Sequence, residues 1–140
     1  MKIYLFKETF NATAPLRVDS IALKWEHDDN PDLSWLEQDY SDCSPAEAAK
    51  YRQQDKDRLA AYNRGDWYMQ GCFAVAEVSY SIGQGSRRIE KFTSGALWGI
   101  ESDCGDDYRK QVEQEQLDDL KEHLAQFNIP WPVIPELVPA

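Results

Sequence analysis

The run DWYMQGCFAVAEVSYSI, residues Asp66–Ile82, constrains the fold of this chain more than any other stretch. Its apolar, β-branched and aromatic side chains predict a long strand. Val75 and Val78 fall out of step with a two-residue repeat, so the strand is either buried on both faces or bulged near Gly71. The GQG at Gly83–Gly85 predicts a hairpin turn, and the RRIEKFTSG that follows predicts the returning strand.

Three further strands are predicted outside this hairpin. Residues 2–10 alternate apolar with polar side chains, and Arg17–Trp25 supplies a second set of apolar positions after the turn-forming NATAP. The short apolar run ALWGI follows the break at Gly95. The acidic segment Glu26–Asp42 between the second strand and the next element predicts a loop held to the body by its aromatic residues.

Two helices are predicted from their start signals and periodicity. The SPAE at Ser44 forms a capping box with proline at the first helical position, and this helix should run to about Asn63 before Gly65. The last helix should start at Ser102 or Asp103, because serine and aspartate are favoured cap residues. From Asp106 to Phe127 apolar residues recur at three- and four-residue steps and predict an amphipathic face.

These elements predict an α+β fold, with an antiparallel sheet of about four to five strands, the amphipathic C-terminal helix on one face and a second flanking helix. The length of 140 residues suits one domain at residues 1–128. The four prolines among the last eleven residues predict an extended tail at residues 129–140, anchored by Trp131, Val133, Ile134 and Leu137. The expected core residues are Leu120, Leu124, Phe127, Phe73, Val75, Ile100 and Trp98.

Composition limits the classes of function. The formal net charge of -10, from 25 acidic and 15 basic residues, argues against direct nucleic-acid binding, which needs clustered lysine and arginine. A basic protein is the expected partner. No apolar run approaches the roughly 18 residues of a membrane span, and the N-terminal stretch does not resemble a signal peptide, so we expect a cytoplasmic protein without membrane contact. Three cysteines without C-x-x-C spacing predict reduced thiols rather than disulfides or zinc.

Carboxylates gather in two blocks, Glu26–Asp42 and Glu101–Glu122. Such surfaces steer basic partners and can present carboxylates where phosphates would lie. The alternative is a merely solubilising face. The residues predicted to bind a partner are Glu101, Asp103, Asp106, Asp107, Glu113, Glu115, Asp118, Asp119, Asp28, Asp29, Asp32 and Trp35.

Local catalytic or metal signals are weak. The segments YSDCS and ESDCG share the tripeptide SDC, and each stands just before a predicted helix. Cys43 and Cys104 therefore precede helices, where a thiol can become nucleophilic. However, neighbouring aspartates disfavour a thiolate at Cys104, and no motif links it to a histidine, so helix capping explains the junction better. The HDDNPD at His27 offers oxygen ligands without the EF-hand spacing. We therefore predict no catalytic residue, no metal and no cofactor.

The segments DRLAAYNRGDWYMQGCFAVAEV and SGALWGIESDCGDDYRKQVEQEQLDDL carry a GDW step and an LWGIESD core. In these segments, about half of its length, the chain resembles a family of short uncharacterised proteins of phages, plasmids and integrative elements. The resemblance implies a mobile genetic element as context, where small acidic accessory proteins often interfere with host defence. It implies no functional residue.

The sequence thus favours a non-enzymatic acidic protein that binds a basic host protein, one that itself binds nucleic acid, as an anti-defence inhibitor or nucleic-acid mimic. One alternative is a small enzyme or metal-dependent module that uses the junction Trp98–Cys104 together with the His27 loop, which requires the two segments to converge. Another is a structural or oligomeric accessory protein, which requires a large symmetric contact.

Overall fold

The structure is a computed structural model that describes residues 2–6, 16–132 and 137–139, with side chains described for residues 16–132. The elements are β1 (Lys2–Phe6), β2 (Leu16–His27), a 3-10 helix (Ser34–Glu37), α1 (Pro45–Asn63), β3 (Met69–Gly83), β4 (Ser86–Thr93), β5 (Leu97–Glu101), α2 (Asp106–Gln126) and β6 (Leu137–Pro139). The fold is α+β, as the sequence predicts.

The strands form one sheet in the order β4-β3-β2-β1-β6, with β5 paired to β3 off this path. The pairs β1–β2, β1–β6 and β3–β4 are antiparallel. The sheet has six strands where four to five are predicted, because residues Leu137–Pro139 of the proline-rich tail pair with β1. Within the tail, Trp131 is half-buried, whereas Val133 and Ile134 lie outside the described residues.

The chain divides into two compact units. Unit 1 comprises residues 1–26, 71–97 and 105–140, and unit 2 comprises residues 27–70 and 98–104. The single domain at residues 1–128 stays a prediction. Among the described residues, no helix is long and apolar enough to cross a membrane.

The core of unit 1 lies between the sheet and α2. Val112, Leu120 and Leu124 of α2 have no exposed surface, and Ser94 at the end of β4 donates a hydrogen bond from its hydroxyl to Gln116 Oε1 at 2.7 Å. This buried polar pair fixes where α2 packs on the sheet, because an unpaired buried hydroxyl or amide would cost free energy. The prediction that Phe127 belongs to this core is wrong: it is 56% exposed, because its ring packs on the partly exposed rings of Phe92 and His123.

The core of unit 2 is the cluster of Leu36, Trp67 and Met69. Trp67 is 2% exposed, donates from its indole N–H to the Arg58 carbonyl at 3.0 Å, and carries the Arg58 guanidinium 3.9 Å above its ring. Ile100 is buried, as predicted, but Trp98 in the same strand is 47% exposed, so its prediction as a core residue is wrong.

β3 is buried on both faces over Met69–Ser79, except for Phe73 and Glu77, which are partly exposed. This confirms one of the two predicted alternatives. The irregularity of the strand lies between Ser81 and Gly83 rather than near Gly71. The turn after it uses Gln84 and Gly85 at φ 55° and 75°, the left-handed pair that a two-residue hairpin loop requires.

The start of α1 is confirmed and the start of α2 is not. The Ser44 hydroxyl accepts from the Glu47 amide, and the Glu47 carboxylate accepts from the Ser44 amide, which completes the predicted capping box. α2 begins at Asp106 after Gly105, without a side-chain cap. Ser102 and Asp103 do not cap it, because both side chains bind elsewhere in unit 2.

Candidate functional site

The acidic residues of α2 lie mostly on its exposed side. Side chains at Asp107, Glu115, Asp118, Asp119 and Glu122 are exposed and fall within about 120° of the helix circumference. We call these five residues the acidic face. The apolar residues of α2 recur at helical steps and form the side that packs on the sheet. The acidic face is on the side that remains exposed to solvent.

The basic residues of α2 border the acidic face, because Lys110 lies one turn from Asp107 and Lys121 lies one turn from Asp118. Lys110 and Lys121 lie at one flank of it, and the Arg109 guanidinium sits 4.2 Å from the centre of the Trp25 ring. Within residues 16–132, none of the five carboxylates forms an ion pair. The face is therefore negatively charged and open to solvent.

One predicted partner-binding residue of α2 lies on the wrong side for that role. Glu113 is 7% exposed and belongs to the buried side of α2. Asp106, in contrast, is exposed in the first turn, where a carboxylate is stabilised by the helix dipole.

The acidic face borders a groove between α2 and the end of β4. Its lining residues are Thr93, Gly95, Asp119, Glu122, His123 and Gln126, and its volume is about 340 Å³. The Gly95 amide donates to Asp119 Oδ2 at 2.6 Å, which fixes this carboxylate at the mouth. We call this cavity the acidic groove.

An aromatic cluster adjoins the acidic groove. The rings of Phe92 and Phe127 lie 5.3 Å apart, and His123 contacts Phe127 edge-on at 5.4 Å. Phe127 is largely exposed, so a partner could contact both its ring and the carboxylates. Phe92 and His123 are not among the residues predicted to bind a partner. The sequence signal for His123 is its place one turn after Asp119 in a helical pattern.

The remaining acids of the second block serve within unit 2. The Arg58 guanidinium donates to both carboxylate oxygens of Asp103, at 2.8 and 2.7 Å, and lies 3.2 Å from Glu101 Oε1. These hydrogen bonds lower the pKa of Asp103 and raise that of Arg58. Glu101 and Asp103 therefore hold α1 to the end of β5, and their charge is largely compensated.

The acids of the first block order their own loop. Asp28 Oδ1 accepts from the Asn30 amide at 3.0 Å, and Asp32 Oδ1 accepts from the Ser34 amide at 2.9 Å. Hydrogen bonds from Ser34 lower the pKa of Asp32. Trp35 is 38% exposed and lies 6.3 Å from the Trp67 ring, which supports the prediction that aromatic residues hold this loop.

The His27 loop and the junction Trp98–Cys104 both contact Tyr68, but within residues 16–132 the two segments do not line one cleft, which the enzyme alternative requires. The Tyr68 ring lies 4.9 Å from the His27 ring, and the Tyr68 amide donates to Ser102 Oγ at 2.9 Å. A cleft of about 390 Å³ lies beside them, lined by His27, Tyr62, Asn63, Gly65, Trp67 and Tyr68. Over residues 16–132, His27 has one side-chain hydrogen-bond partner, Asp29, at 2.9 Å.

Metal ligation finds no support in the part of the chain that the structure describes, where no three His, Cys, Asp or Glu side chains could hold an ion. Cys72 is fully buried in β3, and Cys43 and Cys104 are half-buried; none of the three forms a disulfide within the described residues. The structure thus brings together the residues of an exposed acidic face, while the predicted junction residues act in local structure.

The chain matches no protein-family model, no curated protein and no solved structure. The acidic face and acidic groove therefore carry the functional argument through their own chemistry.

Proposed function

We propose that this chain is a cytoplasmic, non-enzymatic binding protein whose acidic face and acidic groove engage a basic protein. The observation that carries the proposal is the concentration of negative charge on α2: five exposed carboxylates lie within about 120° of its circumference, with two exposed lysines at its border. Positive charge on a partner would be attracted over about one Debye length. This length falls from about 10 Å at 0.1 M salt to about 3 Å at 1 M salt.

The acidic groove suits a single lysine or arginine side chain of that partner. Asp119 and Glu122 would face its charged group, and the exposed Phe127 ring nearby would contact its methylene groups or stack on a guanidinium. The Asp119 carboxylate is already fixed by the Gly95 amide, so it loses little freedom on binding. This pairing of a fixed carboxylate with an aromatic ring separates the acidic groove from a merely solubilising surface.

A fluorescent peptide rich in arginine and lysine tests this proposal by anisotropy. The variant Asp118→Asn with Glu122→Gln should bind about five-fold more weakly, which corresponds to ~1 kcal/mol, because it removes two carboxylates of the face. The matched control Asp42→Asn with Asp57→Asn removes the same charge from unit 2 and should bind like the wild type. Equal loss in both variants would show that only net charge matters and would overturn the proposal.

The finer form of the proposal is that the basic partner is a host nucleic-acid-binding protein, and that the chain acts as an anti-defence inhibitor or nucleic-acid mimic of a mobile genetic element. The carboxylates concentrated on α2 support it, because they offer negative charge of the kind that such a partner binds in phosphates. Duplex DNA should displace a partner that is bound through the acidic face. The Asp118→Asn, Glu122→Gln variant should not compete with DNA for that partner. A partner bound equally well in saturating DNA would refute the mimicry.

A further inference from the structure

Strand β4 stands at the edge of the sheet and has an unpaired side. In the sheet formed by the described strands, β3 is the only neighbour of β4. Seven consecutive pairs join β3 and β4 in one register, from Val75 opposite Thr93 to Ser81 opposite Arg87. The opposite side of β4 carries a row of backbone donors and acceptors that can pair with a further strand.

The register shows which residues of β4 direct their backbone groups outward. The Ser94 amide donates to the Ala74 carbonyl at 2.9 Å, so residue 94 points its amide toward β3. Because this direction alternates along an antiparallel strand, the even-numbered residues of β4 face β3. The N–H and C=O of Ile89 therefore face away from β3, and the Ile89 side chain is 58% exposed.

We propose that β4 pairs antiparallel with β4 of a second copy of this chain, with Ile89 on the two-fold axis. In that register, Ile89 of each copy exchanges both backbone hydrogen bonds with Ile89 of the other. Arg88 then stands directly opposite Glu90 of the second copy, and Glu90 opposite its Arg88. These are non-hydrogen-bonded positions, where facing side chains come closest, with Cα atoms about 4.5 Å apart.

The neighbouring registers are disfavoured by charge. A shift that keeps the outward backbone groups paired moves the two-fold axis by one residue, to Arg88 or to Glu90. The first places Arg88 opposite Arg88, and the second places Glu90 opposite Glu90; like charges directly opposite destabilise a pair. The sequence Arg-Ile-Glu is therefore complementary to itself in one register and repulsive in the two adjacent ones.

The same register places Arg87 opposite Lys91 of the second copy, which are like charges, but each of these side chains is engaged within its own copy. Arg87 donates to the Ser79 hydroxyl and carbonyl at 3.0 and 2.9 Å, and Lys91 lies 3.9 Å from Glu77 Oε1. Both contacts draw a positive charge toward β3 and away from the open edge. Arg88 and Glu90 are exposed and, over residues 16–132, neither forms an ion pair, so both are left to meet a second copy.

Sedimentation equilibrium across a wide protein concentration range tests the proposal. The wild type should rise from 16.2 kDa toward twice that mass. Arg88→Glu and Glu90→Arg should each stay monomeric, because each places like charges opposite one another. The double variant, with both substitutions, restores opposite charges and should associate like the wild type. Lys121→Glu, with the same charge change away from β4, should also associate.

A mixture of the two single variants gives the sharpest result. Arg88→Glu carries two glutamates and Glu90→Arg carries two arginines, so the mixture should form dimers although neither variant does alone. Hydrogen exchange gives an independent readout, since the Ile89 amide should become protected as wild-type concentration rises. A wild type that stays at 16.2 kDa at millimolar concentration, or single variants that dimerise alone, would overturn the proposal. The acidic face is tested separately, because none of its five carboxylates is replaced in these variants.

Discussion

Replacing Arg58 by alanine should destabilise unit 2 more than any other single change to an exposed or half-exposed charged residue in that unit. Arg58 stacks on the buried Trp67 ring at 3.9 Å and donates two hydrogen bonds to Asp103. A partly desolvated cation over an indole contributes about 1 kcal/mol. A two-pronged pair with a half-exposed carboxylate adds about 1 kcal/mol at most. The expected loss is about 2 kcal/mol.

Thermal unfolding followed by circular dichroism measures this loss. For a chain of this size, about 2 kcal/mol lowers Tm by roughly 6 °C. The matched control is Arg64→Ala, because Arg64 pairs with Asp66 at 2.9 Å at an exposed site and, among the side chains of residues 16–132, stacks on no ring. That variant should lie within about 0.5 kcal/mol of the wild type. Equal shifts for Arg58→Ala and Arg64→Ala would refute the reasoning that burial against Trp67 makes the difference.

The difference in free energy of unfolding between the wild type and Arg58→Ala should also depend on pH, in a direction that the ion pair fixes. Hydrogen bonds from Arg58 lower the folded-state pKa of Asp103 below its usual 3.8. The ion pair therefore stabilises the folded state above that pH and is lost as pH falls through the lowered pKa. The stability difference between wild type and Arg58→Ala should be constant from neutral pH to about 4 and should shrink below it. A difference that shrinks already between pH 7 and 5 would contradict this assignment.

Two further predictions concern the helices. Leu120→Ala should cost about 3 kcal/mol by chemical denaturation, because Leu120 has no exposed surface and its removal leaves a cavity under α2; a cost below about 1 kcal/mol would mean that α2 does not pack as described. Ser44→Ala should cost about 1 kcal/mol in the same assay, because it removes the hydroxyl that accepts from the Glu47 amide, whereas Ser41→Ala, outside the helix, should be neutral.

Features governed by neighbours in the chain could be predicted from the sequence. The Ser44 capping box depends on a residue three positions away, and the hairpin turn on Gly83–Gly85, so local chemistry suffices for both. The exposed acidic face also follows from helical periodicity alone, once Leu120 and Leu124 mark the buried side.

Features governed by distant partners could not be predicted. Ser102 and Asp103 have the residue types of a helix cap, but Ser102 binds the Tyr68 amide 34 residues away and Asp103 binds Arg58 45 residues away. Whether an apolar strand residue is buried also depends on distant parts of the chain. Trp98 is apolar enough for a core, yet whether a strand residue is covered depends on what packs against that face, which a strand pattern does not specify.

The division of the chain into two units limits how it can be cut. Unit 2 draws residues 98–104 from beyond the β3–β4 hairpin, and unit 1 is interrupted twice. A fragment that stops at Gln70 would keep Arg58 and Tyr68 but lose Asp103 and Ser102, which complete their hydrogen bonds. Neither unit corresponds to one continuous segment of the gene. Recombination that transferred a single continuous segment could therefore not transfer one unit without part of the other.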